Sequence, residues 1–248
     1  MSGHSKWAQI KRQKAVVDAR RGQLFTKLSR EITVAVRDGG KDPELNPRLR
    51  LAIQRAKDHN MPQDVIERAI KRGTGELEGA ALVEASYEGY GPGGTAILLQ
   101  VLTDNPNRTL AEIRHLFERS GGSLGEKGCV SWLFETKGVI NLDPAGNDPE
   151  ELALLAIDAG AEDVKVEGEV VEVYTRPEDL ERVRRELTEK GLRISSAEIS
   201  LVPQNYVRLD EKVALQALKL LEKLEEVDGV QRVFTNADFP NEVLQAAR

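Results

Sequence analysis

The side chains with chemical potential in this 248-residue chain crowd toward one end. Lys6, Lys11, Arg12, Lys14, Arg20, Arg21, Lys27 and Arg30 fall within the first 30 residues, and Arg48, Arg50, Arg55 and Lys57 follow. Cations at this density neutralise phosphates and gain affinity by releasing condensed counterions, which needs clustered charge rather than an exact motif. Nucleic acid is the partner such a cluster implies. Two other readings compete: a solvated charged face, and a basic arm docked on the protein's own acidic segments. Residues 1–72 hold 17 Lys and Arg against 8 Asp and Glu, net +9. The totals of 35 and 41 therefore leave 18 and 33 for residues 73–248, net −15. The overall charge of −6 conceals a cationic end on an anionic remainder.

Other residues that could do chemistry read as structure. The run Gly89-Tyr90-Gly91-Pro92-Gly93-Gly94 would let backbone N–H groups approach an anion, but no P-loop lysine follows and the Rossmann spacing is not met. Strand-like segments flank it on both sides, so a hairpin turn is expected. His4, His59 and His115 are too dispersed for a metal site, and neither a metal nor a cofactor is expected. Cys129 is the sole cysteine, which excludes an internal disulfide and a cysteine-based zinc site and suits a reducing cytosol. Placed in a strand-like run beside Trp132 and Phe134, it reads as packing rather than as a nucleophile. No catalytic residue is assigned, and the chain is expected to be neither an enzyme nor a binder of small-molecule substrates. Aromatics make up only 4% of the chain and no aromatic-rich strand motif occurs, so recognition by backbone and shape is expected over base stacking.

The elements that position these cations follow from periodicity and punctuation. Leu24, Phe25, Leu28, Ile32, Ala35 and Val36 recur at helical spacing between Gly22 and the helix stop Gly39-Gly40. A second helix opens at Asn46-Pro47, with Leu49, Ala52, Ile53 and Ala56 inward and His59-Asn60 at its end. A third runs from Pro62 through Val65, Ile66, Ala69 and Ile70 to Gly73. The connections at 39–46 and 59–61 fit a helix-turn-helix poorly. Residues 1–21 hold too little apolar surface to order alone and are expected to be a partly helical, partly mobile arm. No apolar run follows Met1, so neither signal peptide nor membrane anchor is expected.

Beyond the acidic linker 74–79 the periodicity becomes that of strands: 82–87, 95–102 and 129–135, with a helix over 107–119. Residues 138–202 then spell βαββαβ, the split ferredoxin-like order, with helices at 149–158 and 177–190 and strands at 139–142, around Val164, at 170–174 and at 193–201. A helix over 210–226 and a strand over 229–234 come last. Alone these two form no domain, whereas the block before residue 136 lacks a helix and a neighbouring strand. Three domains are therefore expected: a basic helical domain over 1–75, a discontinuous α+β domain of 80–136 plus 204–240, and a ferredoxin-like domain inserted at 138–202.

The chain resembles the YebC/PmpR family nearly end to end. The motifs that carry the likeness are Gly3-His4-Ser5-Lys6-Trp7, Lys11-Arg12 with Lys14, Phe25-Thr26-Lys27-Leu28 before Arg30-Glu31-Ile32, and Asn60-Met61-Pro62. Others follow in order: Tyr87-Glu88-Gly89-Tyr90-Gly91-Pro92-Gly93-Gly94, Thr103-Asp104-Asn105, Asn107-Arg108-Thr109, and Gly121-Gly122 with Leu124-Gly125-Glu126. Pro106, where relatives often carry arginine, and Cys129, where serine is usual, depart from the pattern. The resemblance implies an α+β multidomain fold, a helical bundle followed by two ferredoxin-like α/β sandwich domains with one inserted in the other. It adds His4 and Trp7 to the candidate nucleic-acid-binding residues. Because it begins at the third residue, the acid-poor N-terminus is read as an arm rather than an organelle transit peptide, and a cytoplasmic location is expected.

The family includes promoter-binding regulators and also a mitochondrial translational activator. The expected function is regulation of gene expression through DNA bound by the basic domain. The alternatives are a translation factor that binds ribosomal RNA on the ribosome to aid difficult sequences, and a scaffold that binds no nucleic acid.

Overall fold

A computed structural model describes residues 18–79, 81–167, 170–240 and 242–243. Three helices come first: α1 (Asp18–Gly39), α2 (Pro47–Asp58) and α3 (Gln63–Gly73). They bury the stripe that their spacing dictates, with Leu28, Ile32, Ala35 and Val36 meeting Leu49, Ala52 and Ala56, and Met61, Ile66 and Ala69 closing the third side. Asn46 ties the first two helices together. Its Oδ1 accepts from Leu49 N at 3.0 Å as the α2 cap, and its Nδ2 donates to Ala35 O and Gly40 O at 2.8 Å each. Helix α2 stops where Asn60 takes a left-handed φ of 54° and Met61 N reaches back to Ala56 O at 2.9 Å. A Cβ at Gly73 would stand 2.6 Å from Thr33 O and from Val36 Cβ, so the end of α3 rests directly on α1.

Next come β1 (Val83–Tyr90) and β2 (Ala96–Thr103), antiparallel from Val83↔Thr103 to Tyr90↔Ala96 and joined by a short 3-10 turn at Pro92–Gly94. Helix α4 (Pro106–Arg119) is capped by Asn105, and β3 (Ser123–Leu124) pairs with the free side of β1. The run expected as a strand over 129–135 is something else. Ser131–Leu133 is a 3-10 turn, and one long strand, β4 (Phe134–Asp143), absorbs both the end of that run and the strand expected at 139–142. The reason is non-local: the Glu88 carboxylate takes the N–H groups of Gly128, Val130 and Ser131, which a strand would have offered to a neighbour.

Contacts within the chain define two compact units. One spans Glu135–Val202. In it β4 is followed by α5 (Pro149–Asp158), β5 (Asp163–Glu167), β6 (Val170–Thr175), a 3-10 turn at Pro177–Asp179, α6 (Leu180–Glu189) and β7 (Arg193–Pro203). The sheet order is β5-β6-β4-β7, the ferredoxin-like arrangement that βαββαβ implies, with β6 antiparallel to both β4 and β5. Leu152, Ala156, Val171, Val173, Leu180, Val183 and Leu187 are buried.

The other unit takes the chain on both sides, up to Phe134 and from Pro203. After the short β8 (Val207–Arg208), Asp210 caps α7 (Glu211–Glu226), and β9 (Val230–Thr235) returns to pair antiparallel with β2, Ile97 facing Thr235. The four-stranded order is β3-β1-β2-β9, and β10 (Ala237–Asp238) runs parallel to β8. Ile97, Leu99 and Val101 pack with Ile113 and Phe117 of α4 and with Leu218, Leu221 and Leu224 of α7. The fold is thus mixed α+β, with N-terminal helices and two antiparallel sheets. Among the described residues no helix is long and apolar enough to cross a membrane.

Candidate nucleic-acid interface

The cations singled out in the sequence divide into three groups. His4, Lys6, Trp7, Lys11, Arg12 and Lys14 lie outside the described residues, as do the side chains of Arg20 and Arg21, whose backbone forms the first turn of α1.

A second group is engaged within the chain. Lys27 Nζ donates to Glu225 O at 2.8 Å, and one turn along α1 Arg30 Nη1 donates to Asp228 Oδ1 at 2.8 Å. Glu225 lies in the last turn of α7 and Asp228 just past its end, where unpaired carbonyls and the helix dipole favour cations. The Arg30 hydrogen bond, opposed by desolvation and helped by the charges of Arg30 and Arg108, holds the Asp228 carboxyl below its ordinary range. Arg55 Nη1 meets Glu31 Oε2 at 2.9 Å, and Arg232 of β9 approaches the other oxygen of Glu31 at 3.6 Å. Arg48 holds Asp38 at 2.9 Å and also Glu84 at the start of β1, while Arg50 donates to Pro43 O at 3.0 Å. Lys27, Arg30 and Arg48 therefore fasten the bundle to the adjoining α/β layers, with Glu31 reaching the same layers through Arg232.

The third group is exposed. Lys57 has no partner among the described residues, and within the described part of the bundle, residues 18–79, three cations outside the candidate set share that state: Lys41, Lys71 and Arg72. Lys71 and Arg72 occupy the last turn of α3. Their placement just before Gly73 is a readable signal, since basic residues at a helix C-terminus stay solvated while they complement the dipole.

The remaining candidates behave as local structure. The Gly89–Gly94 segment completes β1 and turns into β2, with Gly91 N donating to Thr95 O at 2.7 Å. No helix N-terminus follows it, which removes the strand-to-helix geometry of a phosphate loop. His59 caps α2 and His115 is exposed on α4. Burial, reinforced by the charge of Glu88, pushes the half-buried Cys129 thiol up, away from the thiolate that nucleophilic chemistry needs. Trp132 lies beside it, with its indole Nε1–H donating to Cys129 O at 3.1 Å, but is 66% exposed rather than part of the packing. Among the described residues no cluster of His, Cys, Asp and Glu could hold a metal ion.

Comparison with known proteins divides the chain between two family models. The one described as the TACO1/YebC protein N-terminal domain matches residues 5–76, and the one described as the TACO1/YebC second and third domain matches residues 82–237. A protein of Dehalococcoides mccartyi is 59% identical over 245 residues, covering 99% of this chain and 98% of its own. One of Moorella thermoacetica is 57% identical over 247 residues, covering 98% of each. Both bear the name probable transcriptional regulatory protein. A crystal structure of a conserved hypothetical protein from Aquifex aeolicus superposes with a TM-score of 0.85 at 52% identity, over 93% of this chain and 96% of that one.

Proposed function

Because the chain belongs to the TACO1/YebC family, we propose that it is a regulator of gene expression that binds DNA through its basic N-terminal domain. The observation that carries this reading is the separation of charge, net +9 over residues 1–72 against −15 over the rest. Relatives named as transcriptional regulators support the regulatory role. The contacts that occupy Lys27, Arg30, Arg48 and Arg55 narrow the cations available to phosphate. Lys6, Lys11, Arg12 and Lys14 of the N-terminal segment and the solvated Lys57, Lys71 and Arg72 carry the binding. The role is recognition, with no catalytic step, and the protein acts in the cytoplasm. Phosphate contacts of this kind position a protein without reading bases, so affinity should depend steeply on salt and little on sequence.

The test is a salt titration of duplex DNA and of ribosomal RNA fragments with the wild type, with Lys11→Ala/Arg12→Ala/Lys14→Ala, and with Lys71→Ala/Arg72→Ala. For every phosphate left without its cation, the slope of log affinity against log salt should flatten by about 0.9 on B-DNA. Glu181→Ala, on α6, should leave it unaltered. An unchanged slope in both multiple variants refutes the assignment of the interface. Binding confined to ribosomal RNA would replace the DNA regulator with a translation factor.

A further inference from the structure

We propose that Trp132, with Tyr90 beside it, is a stacking platform for an unpaired nucleobase, so that the protein engages a single-stranded segment of nucleic acid as well as the phosphates met by its basic domain. This rests on the nucleic-acid reading above and adds a base contact to it.

Tryptophan is highly buried on average, yet Trp132 is 66% exposed while the neighbouring Val130 and Phe134 are 0% and 8% exposed. Its ring is pinned nonetheless. The indole Nε1–H donates to Cys129 O at 3.1 Å, and the Tyr90 hydroxyl, from the end of β1, donates to the same oxygen at 3.0 Å. The polar edge of each ring is thereby satisfied within the protein, which leaves the faces available to a ligand that offers only a π-surface.

The support beneath the rings is rigid. Glu88, 4% exposed, places Oε1 2.8 Å from Gly128 N and Oε2 2.9 and 2.8 Å from Val130 N and Ser131 N, while its carbonyl accepts from Gly125 N at 2.8 Å. A loop whose N–H groups are already collected on one buried carboxylate loses little further freedom when a ligand lands on it. Gly128, next to Cys129, has a left-handed φ of 93°, and a Cβ there would meet open space, so a sugar-phosphate backbone can pass close.

Size selects the occupant. One indole and one partly exposed phenol ring supply far less than the roughly 800 Å² per partner of a stable protein interface, whereas a single base covers one aromatic face. The exposed Lys127 is balanced by the exposed Glu126 beside it and residues 73–248 are net −15, so charge gives no attraction here and stacking must carry the contact. The strand bound there should be chosen for being unpaired, with little preference among bases.

The experiment uses dodecamers of rU and dT and a duplex of the same length: unlabelled with the full chain carrying Trp7→Phe, where Trp132 is the sole indole and reports by its emission, and end-labelled, read by anisotropy, with the full chain retaining Trp7 and its Trp132 variants. The single strands should quench the Trp132 emission saturably and the duplex should not. Trp132→Ala should weaken single-strand affinity by about tenfold to a hundredfold, the size of one unstacked base, while Trp132→Phe keeps most of it and the salt slope stays unchanged. Preference for rU over dT identifies an RNA strand, and equal binding identifies any single strand; either outcome supports the platform. Unchanged single-strand affinity in Trp132→Ala, with the salt slope still reduced by Lys11→Ala/Arg12→Ala/Lys14→Ala, overturns the platform and leaves the basic interface standing. Failure of every oligonucleotide to bind at low salt overturns both. A change in sedimentation rate of Trp132→Ala without a change in oligonucleotide affinity would make the ring a contact between proteins and refute the base site.

Discussion

Arg30 on α1 and Asp228, just past the end of α7, share a hydrogen-bonded ion pair at 2.8 Å across 198 positions of sequence, and Arg108 of α4 stands 3.6 Å from the other Asp228 oxygen. The pair makes one side of the basic helical bundle part of the α/β layers, so charge that would suit a polyanion serves the fold instead.

Asp228→Asn should cost only about 0.2–1 kcal/mol, because the carboxylate is 58% exposed and solvent screens it. The folded carboxyl lies below its ordinary range, so its contribution is present above about pH 4, the unfolded value, and is lost as pH falls through the lowered folded value. Urea unfolding at pH 7 and pH 3 should therefore separate the variant from the wild type at the higher pH and narrow the difference at the lower. An equal difference at both would contradict the pairing.

Glu88→Gln should cost about 1–3 kcal/mol, since an amide nitrogen would then face a backbone N–H in a buried site. Burial pushes the Glu88 carboxyl up, but the three backbone N–H bonds outweigh it and the group stays below its ordinary range. Its stabilisation is accordingly present above about pH 4.3 and diminishes on acidification through the folded value. Amide exchange at Gly128, Val130 and Ser131 should accelerate in the variant while that of β2 is unaffected.

Leu28→Asp should destabilise the bundle by about 3–5 kcal/mol, because Leu28 is 1% exposed and the new carboxylate would be buried without a partner. Ile53→Asp, at a half-buried position against the same core, should cost less. Circular dichroism during thermal unfolding of the full chain would show an early loss of helix in Leu28→Asp; coincident curves would argue against the packing described.

Gly93 and Gly94 have nearly equal left-handed φ, 72° and 73°, but a Cβ at Gly93 would stand 2.6 Å from Leu209 Cδ2 and one at Gly94 would meet nothing. Gly94→Ala should thus lose about 1–2 kcal/mol for backbone conformation alone, and Gly93→Ala more. Equal midpoints in denaturant would show that Leu209 yields without cost.

Helix boundaries are legible because capping is local. Asn46-Pro47 and Asp210 state where α2 and α7 begin, since the side chain that closes each first turn sits three residues from the N–H it receives. The strands of the two sheets are legible for the same reason, as short apolar runs bounded by turn residues, with the central ones buried almost continuously, and the family likeness rests on short motifs in order. The 129–135 run is not. Its alternation suits a strand, and what bends it into a turn is a carboxylate from β1, about 40 positions away.

The sequence by itself determined the separation of charge, the helices that carry the cations and the kind of partner such cations suit, because composition and short-range spacing are enough for each. Only the tertiary structure decided which cations are free and which aromatic ring is bare. Lys27 and Arg30 give up their availability to groups 198 residues away, and Trp132 stays in solvent on a turn fixed by the buried Glu88 carboxylate and by its own bond to Cys129 O. Solvation of a side chain depends on what the rest of the chain brings to it, and no local pattern encodes that.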